Sequence, residues 1–173
     1  MLKISLHEKA TLVHDVVLAG SDGIVTTFAV VAGSQGASLS AKVVLILGFA
    51  NLFADAFSMA AGNYLGFKSE LELEKGYKSE MLHHHKPFRH WLVTFVSFSV
   101  AGLLPLIPYL LTIENKFEYS LFLVVLSLFM VGILRGKVTG KNALRGGFEV
   151  LGVGGIAAVV AYAVGFLIDK FII

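Results

Sequence analysis

The sequence predicts an all-α integral membrane protein with five transmembrane helices, and three observations lead there. The chain is 56% apolar and only 15% charged, where soluble domains average about 45–50% and about 25%. Its mean hydropathy is +0.79. It also holds five apolar runs of roughly 20 residues, the length a helix needs to cross a bilayer. Runs this long in so short a chain read as helices, because a closed barrel needs many short alternating strands. Cysteine is absent, which excludes disulfides and thiolate sites. A net charge of +2 gives no basic field for nucleic acid. The N-terminal stretch lacks the layout of a cleaved signal peptide, so the first span is expected to stay in the protein.

The whole chain reads as a single transmembrane domain. Helix one is expected over 12–34, with Asp15 near its start and Asp22 inside. Helix two follows over 39–66, and Asp55 is its only charge between Val43 and Leu65. Helix three covers 91–113, with Pro105 and Pro108 bending or fraying its far end. Helix four, 117–135, looks short enough to thin the bilayer or to start obliquely. Helix five covers 147–169, rich in Gly and Ala. Gly62 with Gly66, and Gly132 with Gly136, have the spacing that lets helices approach closely, here most simply within one chain. The hairpin over 67–90 is the one polar stretch, and helix two is expected to run into it.

Lys and Arg set the orientation. Five crossings put 11 of the 14 on the side of the N-terminus, leaving Lys42, Lys116 and Lys170 opposite. By the positive-inside rule the N-terminus is cytoplasmic and the C-terminus outside or lumenal.

A charge at the bilayer centre costs at least about 2.5–3.5 kcal/mol, so intramembrane acids point to ion paths or proton relays. Asp15 and Asp22 are seven residues apart and share a helical face. Asn51, Asp55 and Met59, spaced by four, share a face of helix two. Oxygen ligands alone suit Mg2+ or Ca2+, whereas a thioether adds affinity for softer transition metals. Simpler readings stand beside these. Met59 can be a flexible core filler. Asp22 can cap a helix break at Ser21–Gly23. Asp15 can be a first-turn carboxylate favoured by the helix dipole. In the hairpin, Glu70 and Glu74 share one face and Glu80 and His84 another, with Met81, His83, His85 and His90 nearby. That set is a candidate cytoplasmic loading site for a divalent metal, or simply a solvated connection.

The runs "DVVLAGSDGIVTTFAVVAGSQGA" and "GFANLFADAFSMAAGNYLG" resemble the first two helices of the vacuolar iron transporter family. The likeness extends to five spans and to the last helix, "GVGGIAAVVAYAVG", and so covers nearly the whole chain. The resemblance implies a homodimer, not an enzyme, that exports Fe2+ and often Mn2+ from the cytoplasm in exchange for protons. The path would lie between protomers, lined by the first helices. The metal would be a transported substrate and not a cofactor. Asp22 matches the family's intramembrane carboxylate, Met59 its "SM" methionine, and Asp15 the acid seven positions earlier. Where members with a large cytosolic metal-binding domain carry a Glu, this chain has Asn51, and Asp55 one turn on is expected to substitute. That large domain is missing here, as in the short nodulin-like and many prokaryotic members. The membrane is then the plasma (inner) membrane of a prokaryote or the vacuolar membrane of a eukaryote. On the residues alone two other classes stay open. One is a structural or regulatory membrane subunit; the other is an intramembrane aspartyl protease, whose motifs the surroundings of Asp22 and Asp55 do not match.

Overall fold

The computed structural model describes residues 6–77 and 86–172. Helix α1 runs over Leu6–Gly36 and passes Ser21, Asp22 and Gly23 without a break. Ser21 Oγ donates to Val17 O at 2.7 Å and Thr26 Oγ1 to Asp22 O at 2.8 Å. Polar side chains that bond to their own helix backbone need no outside partner. The turn after α1 closes with Ser38 in the left-handed region, φ 53°, and with Leu39 N–H on Ser34 O. Helix α2 then runs over Ala41–Tyr77 and so carries well into the expected hairpin.

Helix α3 starts with a proline, over Pro87–Leu103, where a missing N–H does no harm. His90, expected in the hairpin, therefore belongs to α3. The two later prolines break this span into a 3-10 turn, Leu104–Leu106, and a short helix α4, Ile107–Leu110. Buried Ser120 Oγ donates to Pro105 O at 2.7 Å, which satisfies a carbonyl in the broken region. Helix α5 covers Lys116–Val138. Its 23 residues rise about 34 Å at 1.5 Å each, so this crossing is not short. Hydropathy falls at Arg135, but backbone pairing continues until Thr139 N–H bonds Arg135 O. Helix α6 covers Ala143–Phe171, with Asn142 Oδ1 capping the N–H groups of Leu144 and Arg145.

Among the described residues, five helices are long and apolar enough to cross a membrane: Ala10–Gly36, Ala41–Leu73, Pro87–Leu110, Lys116–Val138 and Ala143–Phe171. Their directions follow from which residues meet. Between α1 and α3, Asp15 meets His90, Gly23 faces Phe98, and Thr27 lies beside Gly102. The offset is constant, so the two helices run parallel and in register. Val25 with Gly154 and Gly33 with Ala161 show the same for α1 and α6. Between α2 and α3, Asn63 bonds Thr94 while Phe67 stacks on His90, which is an antiparallel pairing. Helix α1 sits in the middle, in contact with α2, α3, α5 and α6. The core is Ile24, Phe28, Val31, Leu52, Phe98, Leu106 and Leu128. The outer face of α6 shows Val153, Ile156, Val159 and Phe166, as lipid contact requires.

Glycine works at the close approaches. A Cβ on Gly132 would run into the backbone of Gly146 and Gly147, so α5 and α6 touch through it. Gly62 and Gly66 have nothing within 4 Å. The Gly132 and Gly136 pair is thus a packing seam within the chain, and the Gly62 and Gly66 pair is not.

Candidate metal path

Asp22 lies midway along α1, partly exposed, next to buried Gly23. Gly23 fixes its place, because a Cβ there would stand 2.5 Å from Phe98 O. The backbones of α1 and α3 therefore touch at this level, and the rotation of α1 leaves Asp22 off the core. On α2, Asn51 Nδ2 donates to Asp55 Oδ2 at 2.8 Å. The amide holds the carboxylate and leaves its second oxygen available. Met59, one turn further, is half-buried against the core. Asp22 on α1 and Asp55 on α2 thus place two carboxylates within membrane-length helices. Two negative charges in a low-dielectric setting repel strongly unless a cation or protons neutralise them.

Asp22 also lines a groove of about 500 Å³ with Ser21, Val25, Arg135, Glu149 and Val153. A second hollow of about 520 Å³ shares Leu18, Ser21, Arg135 and Val150 with it and reaches His14 and Thr139. Together they form a furrow along α1 from the α5–α6 turn to Asp22. Glu149 pairs with Arg135 at 3.5 Å and with Arg145 at 3.3 Å at its side. No local pattern singles out Arg135 or Glu149, since the two belong to different helices and meet only in space.

Asp15 is placed differently from the expectation of a first-turn acid. It sits in the third turn of α1, 3% exposed, with Oδ2 2.5 Å from His90 Nδ1. His90 is fully buried. Its importance was visible only as the start of the buried stripe His90, Thr94, Phe98, Gly102. Glu70 is exposed on the far extension of α2. The side chain of Glu74, and Glu80, Met81 and His84 altogether, lie outside the described residues. Among the described residues, no three His, Cys, Asp or Glu side chains gather as a metal-ligand group.

Comparison with known proteins agrees with this architecture. The model of the VIT family matches residues 13–86 and 71–166. The chain is similar to a vacuolar iron transporter of Toxoplasma gondii, with 30% identity over 91% of this chain and 74% of the relative. It is 26% identical to vacuolar iron transporter 1 of Arabidopsis thaliana, over 87% of this chain and 84% of that one. Vacuolar iron transporter homolog 3 of Arabidopsis thaliana is 28% identical over 90% and 82%. The Toxoplasma alignment runs over 224 positions, more than the 173 residues of this chain, whereas the homolog 3 alignment runs over 165. The first relative thus has residues that this chain lacks, and the two family matches overlap at 71–86, from the end of the second span to the start of the third. With five membrane-length helices and a family match over most of its length, the chain belongs to the VIT family, whose members are transporters and not enzymes.

Proposed function

We propose that this protein exports Fe2+, Mn2+ or both from the cytoplasm in exchange for protons, along a path between two copies of the chain. The observation that carries the proposal is the Asp55 carboxylate held by Asn51 one turn from Met59 on α2, together with the Asp22 carboxylate that opens onto the furrow along α1. One divalent cation neutralises two carboxylates, and so do two protons. Exchange of one for the other keeps the site neutral and gives antiport a direct electrostatic cause. A single chain offers two carboxylates, an amide and a thioether. A second copy apposed at α1 would add further donors, and the carboxylates beyond two would stay protonated so that the site remains neutral with one divalent ion bound. The relatives are named as vacuolar iron transporters, which supports metal as the cargo.

The N-terminal side is cytoplasmic on this reading, because the basic residues gather there. The membrane is the vacuolar one in a eukaryote and the plasma membrane in a prokaryote. The test is reconstitution into vesicles, following Fe2+ or Mn2+ uptake together with internal pH. Metal influx with matching proton efflux is expected from the wild type, and Asp22→Asn is expected to abolish both. Undiminished flux in Asp22→Asn would remove Asp22 from the path.

A further inference from the structure

At the end of α3 that begins with Pro87, three helices meet on one imidazole. His90 is 0% exposed, and its Nδ1 is 2.5 Å from Oδ2 of Asp15 on α1, itself 3% exposed. Facing a carboxylate oxygen, Nδ1 carries the proton and donates it. The ring stacks on Phe67 of α2, with centroids 3.8 Å apart. The other carboxylate oxygen of Asp15 lies 3.6 Å from Nδ1 of exposed His14. One turn deeper, Asn63 Nδ2 of α2 donates to the buried Thr94 Oγ1 of α3 at 2.7 Å. Deeper again, Gly23 of α1 presses on Phe98 O, and a Cβ at Gly102 would meet Thr27 Oγ1 at 2.9 Å. These residues form one continuous stripe of α3, polar at the start and apolar beyond, met by α1 at His90, Phe98 and Gly102 and by α2 at Thr94.

That stripe settles how α1 is rotated. A helix has one free rotation about its axis, and contacts at only one level leave it loosely fixed. Here the deep contact is a backbone touch at Gly23, and the outer one is a buried hydrogen bond at Asp15. Asp22 stands between these two levels, on the same helical face as Asp15. Losing the outer contact leaves the rotation of α1 at that end to apolar packing, without the directional tie that precedes Asp22. A buried, hydrogen-bonded partner has definite geometry, and an error of about 1 Å in a functional group is enough to weaken its action. The carboxylate of Asp15 is covered by His90, whereas Asp22 opens onto the furrow.

We propose, on the basis of the transport function above, that Asp15 and His90 form a positioning clamp, closed over by Phe67, which sets the carboxylate of Asp22 on the furrow. Asp15 acts through His90 and holds no metal itself. The family resemblance groups Asp15 with the path residues, and the clamp separates it from them.

The test is a double-mutant cycle read by transport in vesicles, with Mn2+ as the probe ion and rates scaled to folded protein. His90→Phe keeps the stack on Phe67 and removes the hydrogen bond. Asp15→Asn removes the charge. Each single change is expected to raise the KM for Mn2+ about tenfold, the size expected for coupled contact partners. The double variant is expected to be no worse than the worse single one. His90→Asn, whose amide nitrogen can take the place of Nδ1, is expected to stay within about threefold of wild type. Should His90→Phe fail to insert, the comparison of His90→Asn with Asp15→Asn decides in its place. Effects that multiply in the double variant would overturn the clamp, because Asp15 would then act on the ion independently of His90. Loss of folded protein with an unchanged KM would also overturn it, leaving the pair a stability element. A wild type without flux sinks the transport function itself, whereas a transporting wild type with unaltered KM in both single variants sinks only the clamp.

Discussion

A thioether one helical turn from a carboxylate, as Met59 stands to Asp55, binds soft transition metals better than it binds Mg2+. Leu has nearly the same volume, and such swaps cost under about 1.5 kcal/mol. Met59→Leu is therefore expected to keep the unfolding midpoint close to wild type while losing preference for Fe2+ over Mg2+. Competition flux with the two ions checks this, and an unchanged preference takes Met59 out of the path. Gly23 is a second residue-scale case. Its missing Cβ is what admits Phe98 O, since a Cβ there would stand 2.5 Å from that oxygen. Gly23→Ala is expected to lower stability by about 1–3 kcal/mol through overpacking, and to impair flux because Asp22 is its neighbour. Thermal unfolding in detergent measures the first effect and vesicle flux the second. Sequence spacing identified Asp22, Asp55 and Met59 because each is unusual for its surroundings. It did not find the partner of Asp15, since nothing local tells a capping acid from one paired across 75 residues.

At the scale of elements, the helix-spacing glycines separate into two kinds. Gly132 touches the backbone of α6, while Gly62 faces open space. Gly132→Ala is expected to cost about 1–3 kcal/mol, whereas Gly62→Ala is expected to be neutral or to gain up to about 1 kcal/mol from helix propensity. Comparing the two unfolding midpoints tests the assignment, and equal losses would refute it. The same scale explains the helix ends that sequence left short. Hydropathy stops at Arg135 and begins again after Glu149, but hydrogen bonding and the Asn142 cap carry α5 to Val138 and start α6 at Ala143. The Glu149 pairs with Arg135 and Arg145 are about half exposed, so their worth to stability is small. Their interest lies in standing beside the furrow to Asp22.

Taken as a whole, the molecule surrounds α1 with four other helices, and α1, α3 and α6 run in one direction. An odd number of spans puts the two chain ends at opposite ends of the bundle. Because the chain has no cysteine, single cysteines can report the orientation directly. Lys141→Cys, in the α5–α6 turn, is expected to react with a membrane-impermeant maleimide only from the cytoplasmic side. Lys170→Cys, at the end of α6, is expected to react only from the opposite side. Labelling of both from one face would overturn the five-span orientation.

Composition and hydropathy by themselves determined the class, the number of spans and the acids of functional interest, because bilayer length and the cost of buried charge are written in local sequence. Motif likeness added the family. Tertiary structure alone decided that Asp15 faces His90, that Asp22 opens onto the furrow, that Arg135 and Glu149 meet beside it, and that one glycine pair is a seam and the other is not. These depend on the rotation and register of helices against each other. Rotation and register are set by contacts between residues far apart in the chain, and no local pattern encodes them.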